Sequence, residues 1–182
     1  MASLDFRKLK ADEIECRIGQ IKVANNEPIG LTLLLYKDAR CDMSILDETV
    51  GKLNWKREHL RENKNCVVSI WDDEKSQWVS KEDVGVESNT EAEKGLASDS
   101  FKRACVNWGI GRELYTAPFI WLRATDCTIK MIGGKAKCYD KFVVEKITYD
   151  GGNIDGLSIM NETTNKRVFV QKPAKKDEEP AK

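Results

Sequence analysis

The chain has 182 residues, 41% of them hydrophobic, with 30 basic and 30 acidic side chains. That length and apolar content serve one core and exclude a second domain of ordinary size, so a single domain is expected over residues 1–171 with a short tail behind it. Bulk neutrality favours neither nucleic acid, membrane nor acidic ligand.

Charge is unevenly distributed. From Lys102 to Lys146 there are nine basic residues against four acidic ones, whereas from Asp72 to Glu93 eight acids face two lysines. One anion-binding face and one repelling face fit this split, as does a mixed solvated surface. The six cysteines, at 16, 41, 66, 105, 127 and 138, form no close pair. Cys66, Cys105, Cys127 and Cys138 lie in apolar or alternating runs and read as buried free thiols. Without a charged-then-apolar leader or an apolar run of membrane length, the expected setting is a reducing bacterial cytoplasm, with no membrane partner.

In chain order, ADEIECRIGQ (11–20) carries a cap candidate, Asp12, and Ile14 and Ile18 four apart, which predicts a short helix. Pro28 opens IGLTLLLY (29–36), whose length and apolar content predict a buried strand. ARCDMSILDETVG (39–51) sets Met43, Leu46 and Val50 at helical spacing and stops on Gly51. Three strands follow at 53–60, 65–71 and 78–86, an antiparallel meander. A long helix begins near Thr90, with Glu93 placed for a capping box. Gly133-Gly134 between CTIKMI (127–132) and KCYDKFVVEKITY (137–149) signals a two-residue hairpin. Shorter strands are expected at 157–160 and 167–170, and 172–182 reads as a disordered charged tail. The fold class is α+β: a β-β-β-α core, antiparallel sheet packed on one long helix, with a C-terminal β-hairpin extension.

The long helix, KGLASDSFKRACVNWGIGRELY (94–115), has two unlike sides. Ala97, Phe101, Ala104, Cys105 and Trp108 share one stripe and predict core. Gly95, Ser98, Asp99, Lys102, Arg103 and Val106 occupy the remaining arc, small side chains beside two cations. Such a surface lets another chain approach and offers its phosphates charge, although a solvated helix face looks alike. Gly109 and Gly111 permit a tight reversal that returns Arg112 to the helix end, where it also offsets the helix dipole.

Catalytic chemistry is sparse. His59 is the single histidine, read as a surface residue beside Glu58. There is no Cys/His cluster for zinc and no phosphate-binding loop, so no metal, cofactor or nucleotide is expected, and the chain is read as a non-enzyme. Asp72, Asp73 and Glu74 keep open a metal-dependent nuclease, although a turn rich in solvated acids reads the same way. A protein-only scaffold that uses the acidic 72–93 segment is the other rival. The tryptophans Trp55, Trp71, Trp78, Trp108 and Trp121 are expected mostly in the core, with one or two at strand edges available for stacking on bases.

The stretch from Leu46 to Tyr115 resembles the Rad-fifty-two-like superfamily of single-strand annealing proteins, most closely the phage Sak branch. The shared signatures are Gly51-x-x-Asn54-Trp55, Asp83-Val84-Gly85 and the run from Ala97 through Phe101-Lys102-Arg103-Ala104 to Trp108-Gly-Ile-Gly-Arg112-x-Leu-Tyr115. The resemblance implies nucleotide-independent binding and annealing of complementary DNA strands in recombination and repair, by a ring or open helical homo-oligomer encoded by a phage or prophage. A DNA-end-protecting protein that does not anneal is the alternative within the superfamily. Lys102 and Arg103 fall on the paired phosphate-gripping positions of the family's long helix, and Arg40 near its groove arginine. The eukaryotic members carry a further basic residue where this chain has Val106; Arg112, Lys135 and Lys137 are the cations expected to compensate. Besides single-stranded DNA and the annealed intermediate, a host single-strand-binding protein is a candidate partner for the tail.

Overall fold

The computed structural model describes residues 4–86 and 92–173. Its elements are β1 (Ile14–Ala24), β2 (Glu27–Lys37), α1 (Ala39–Val50), β3 (Trp55–Leu60), β4 (Asn65–Asp72), β5 (Gln77–Val84), α2 (Ala92–Trp108), β6 (Ile120–Arg123), β7 (Ile129–Ile132), β8 (Lys135–Cys138), β9 (Phe142–Asp150), β10 (Asn153–Asn161) and β11 (Lys166–Gln171). The fold is α+β, antiparallel sheets with two α-helices. Among the described residues, no helix is long and apolar enough to cross a membrane. These residues form two compact units, Lys37–Arg112 with the residues before Lys10, and Lys10–Tyr36 with those from Glu113 on. The expected cap at Thr90 lies outside the described residues.

The first unit contains the meander β3-β4-β5, paired from Trp55↔Ile70 to Leu60↔Asn65 and from Asn65↔Val84 to Asp72↔Gln77. Strand alternation puts Cys66, Val68 and Ile70 on one face, all buried. Against it packs α2, burying Leu96, Phe101, Ala104 and Cys105. Trp55 stacks on Phe101 at 6.2 Å between ring centroids, and the Trp108 Nε1 donates to the Val68 carbonyl. Burial pushes the Cys66 thiol up to about 11 and raises that of Cys105, so both remain protonated. Cys41 is buried as well, while Cys127 and Cys138 are half-buried, a partial correction to the expected set of thiols.

Three motif glycines have structural work here. Gly51 (φ 85°) ends α1, and the Asn54 amide then donates to the freed Val50 carbonyl at 2.8 Å. Trp55 Nε1 donates to Asp47 Oδ1 at 2.7 Å, tying β3 back onto α1. At Gly85, a Cβ would lie 2.6 Å from the Leu96 carbonyl and 2.7 Å from the Ser100 nitrogen, so only glycine lets the end of β5 lie against α2. Lys37, at the end of β2, pairs with Asp42 in the first turn of α1; the lysine is 4% exposed and the aspartate 0%. Burial pushes the Asp42 carboxyl up to about 6 against the pull of Lys37. The lysine stem crosses Gly111 (φ 69°), where a Cβ would collide with Lys37 Cε and Cδ.

In the second unit the strand order is β11-β10-β9-β1-β2-β6, and the two outer strands, β6 and β11, approach each other, curling the sheet toward closure. The helix expected at 11–20 is instead a 3-10 turn followed by β1. A spacing of four fits both periods; here Ile14, Cys16 and Ile18 face inward while Glu15, Arg17 and Gly19 are exposed, a period of two. Asn25 and Asn26, with φ of 50° and 63°, make the hairpin turn that commits this stretch to β2. The run 137–149, expected as one strand, breaks at Tyr139–Lys141 into β8 and β9. Asp140 explains the break: its Oδ2 accepts from Thr128 N and Asn161 Nδ2, both at 2.7 Å.

Two further expectations need correction. None of the five tryptophans is fully buried, and Trp78, on the edge strand β5, is exposed; a large ring at a sheet margin keeps one edge in solvent. On α1 the buried face is Cys41, Asp42, Ile45 and Leu46, with Met43 and Val50 only half-buried, because the helix turns its Asp42 side toward Lys37.

Asp42→Ala leaves a buried ammonium unpaired and is expected to cost about 3–5 kcal/mol, whereas Lys37→Met combined with Asp42→Leu should restore near wild-type stability. Urea denaturation midpoints of the two variants measure the difference.

Candidate nucleic-acid interface

The exposed side of α2 is narrower than the sequence suggests. Asp99, expected on the open arc, accepts from the Val86 amide at 2.9 Å, and Gly85 lies against the same helix one turn away. Ser100, beside them, is buried and donates to the Asn63 carbonyl. Of the expected open arc, Lys102, Arg103 and Val106 stay half-exposed toward the C-terminal end.

Lys102 and Arg103 are neighbours on the helix but turn toward different surroundings. Arg103 reaches β5, where its Nε and Nη2 both donate to Asp83 Oδ1 at 3.4 and 3.3 Å. Asp83 is in turn held by Asn107 Nδ2 and by the Val84 amide. Because both contacts use one side of the guanidinium, its Nη1 edge remains available for a second anion. Lys102 lies on the α1 side: its charge adds to the hydrogen bonds of Arg40 that hold the Asp38 carboxyl down and, with Lys37, opposes the burial that raises Asp42, and its carbonyl accepts from Lys37 Nζ at 3.4 Å.

Arg40 is brought to that same side. Asp38 caps α1 by accepting from the Arg40 amide at 2.7 Å, and its carboxylate takes Nε and Nη2 of the Arg40 side chain. Hydrogen bonds from Arg40, side chain first, with the added field of Lys102, hold the Asp38 carboxyl down at about 2. Arg40 and Lys102 therefore act on one carboxylate, while Arg103 acts on another.

Arg112 does return to the end of α2. Its Nε and Nη2 donate to the Val106 carbonyl at 3.2 and 2.9 Å and Nη2 also to that of Asn107. With Gly109 at φ 108°, this closes the helix C-terminus, where a cation also opposes the dipole. Lys135 and Lys137 are exposed on β8, in the second unit.

Sequence reasoning did not find Asp38 and Asp83, the carboxylates that hold the candidate cations, nor Lys81, which donates to the Asn107 carbonyl and lies 4.6 Å over the Trp108 ring. The strand pattern carried a signal for Asp83 and Lys81: both fall two or four residues from Val79 and so share the α2-facing side of β5. The same alternation corrects His59. It pairs with Cys66 on the α2 side, half-buried, with its pKa lowered by burial and by Arg57. The acidic turn is used locally, Asp72 binding Lys75 and Asp73 accepting from Trp71 Nε1.

Comparison of the chain with protein-family models, curated proteins and solved structures gives no match.

The depressed Asp38 value sets a sign. Its contribution to stability is complete above the ordinary carboxyl value of 3.8 and is lost as the pH falls through about 2. Asp38→Asn should flatten this part of the acid limb in thermal denaturation scans, and an unchanged limb would show that the pair contributes nothing.

Proposed function

We propose that this chain binds single-stranded DNA along the Lys102–Arg103 side of α2 and anneals complementary strands without a nucleotide. In this reading it assembles as a ring or open helical homo-oligomer of β-β-β-α cores, a phage or prophage recombination protein of the Rad-fifty-two-like kind acting in the host cytoplasm. The observation that carries the reading is a division of labour within the shared motifs. Gly51, Asn54, Trp55, Gly85 and Gly111 all serve the folding of the first unit, and Phe101, Ala104 and Cys105 fill its core. Lys102 and Arg103, in the middle of the same run, stay half-exposed, Arg103 while paired with Asp83.

Annealing follows from backbone binding. Cations that hold phosphates leave base edges free, a second strand is tested by pairing, and pairing supplies the free energy. Each protomer needs only modest affinity, because repeated sites along one strand add by effective concentration. The carboxylates of Asp38 and Asp83 fit this scheme as internal anions that orient Arg40 and Arg103 before phosphate arrives.

Lys102→Ala and Arg103→Ala are each expected to weaken binding of an oligo-dT strand and to lower the salt exponent of binding by about 0.7, the value of one phosphate contact on a single strand. Fluorescence anisotropy across a salt series reads both. Unchanged affinity and slope in both folded variants would refute the assignment of the interface. A two-strand fluorescence assay without nucleotide then separates annealing from end protection. Magnesium- or manganese-dependent cleavage that disappears in an Asp72→Ala, Asp73→Ala variant would overturn the non-enzymatic reading.

A further inference from the structure

We propose that the outer face of the β7–β8 hairpin is a second contact surface for a single-stranded polynucleotide, with Lys130, Lys135 and Lys137 on phosphates and Tyr139 stacked on a base. The inference rests on the reading of the chain as a single-strand binder but not on the role given to α2.

The register decides which side chains share this face. Ile129 pairs with Cys138, Lys130 with Lys137, Met131 with Ala136 and Ile132 with Lys135. Alternation therefore puts Lys130, Ile132, Lys135 and Lys137 on one side and Ile129, Met131, Ala136 and Cys138 on the other. The second set is half-buried and does the packing, and the first set is exposed throughout. Tyr139, the next residue after β8, is 71% exposed. Gly133 and Gly134, at φ 57° and 74°, form a two-residue turn that fixes this register.

Lys130 and Lys137 are thus directly opposite each other, an arrangement of like charges that destabilises a strand pair. Nothing within the hairpin offsets it, since no acid occurs from Thr128 to Tyr139. The acids at its base are engaged elsewhere. Asp140 is buried and accepts from Thr128 N and Asn161 Nδ2, and Asp126 pairs with Arg123 at 3.2 Å. The lysine face therefore costs the fold stability and returns none of it through packing. A polyanion laid across the pair turns that cost into attraction, and the exposed ring of Tyr139, two residues along the chain from Lys137, offers a base a stacking surface that does not read its sequence. Buried contacts at the hairpin's base, through Asp140 and Asn161, hold this surface in place.

Two variants separate binding from folding. Lys130→Glu faces Lys137 with an opposite charge, so the hairpin should fold at least as well as wild type while affinity for oligo-dT falls. The combined Lys130→Gln, Lys135→Gln, Lys137→Gln variant should lose about 2 from the salt exponent. Tyr139→Ala should weaken binding about tenfold, with Tyr139→Phe restoring it. A folded triple variant with wild-type affinity and exponent overturns the phosphate contacts, and a Tyr139→Ala protein that binds like wild type overturns the stacking. If the hairpin variants lose binding while the Lys102 and Arg103 variants do not, the hairpin stands and the α2 reading fails. A wild-type chain that binds no single strand at all removes both.

Discussion

The ion pair of Lys37 with Asp42 is the constraint around which the first unit is arranged. A buried ammonium needs a nearby anion, further acceptors and room for its stem, and the chain supplies these from three places. Asp42 comes from the first turn of α1, the Lys102 carbonyl from α2, and Gly111 leaves the space the lysine stem crosses. The consequence for the surface is indirect but strong. By drawing α1 toward the middle of α2, the buried pair puts Asp38 and Arg40 on the side of the helix that Lys102 occupies, so the outer charges inherit their positions from an inner one.

The surface cations are arranged by a related rule. Arg40 and Arg103 each donate through Nε and Nη2 to a carboxylate from their own unit. An arginine already oriented by a carboxylate, as Arg103 is by Asp83, would lose less rotamer freedom on meeting a second anion, at the expense of some local positive potential. Exposed pairs of this sort contribute little to stability. Their effect is on direction.

Elements with local signals were legible in the sequence: the meander by its three alternating runs, the hairpin by Gly133-Gly134, α2 by its apolar stripe. β1 was not, because Ile14 and Ile18 satisfy both periods and the Asn25-Asn26 turn that resolves them carries no glycine. The candidate site was legible as cations and illegible as geometry. Lys102 and Arg103 stand out in the string, but which way each leans depends on Asp38 and Asp83, distant in sequence and brought near only by the packing of α1 and β5 on α2. The Lys37–Asp42 pair left no trace at all, since a lysine closing an apolar strand reads as a strand end. Lys130 does not stand out in the string for a related reason: that it faces Lys137 follows only once the turn has set the register.

The mutual approach of β6 and β11 bears on what the larger sheet can bind through its main chain. A sheet margin normally offers a ladder of unsatisfied amides to any passing strand. Here part of each margin lies close to the other, and that part makes a poor template for main-chain pairing with a second chain. Any oligomer of this chain would then form through side-chain contacts or through the borders of the two smaller sheets.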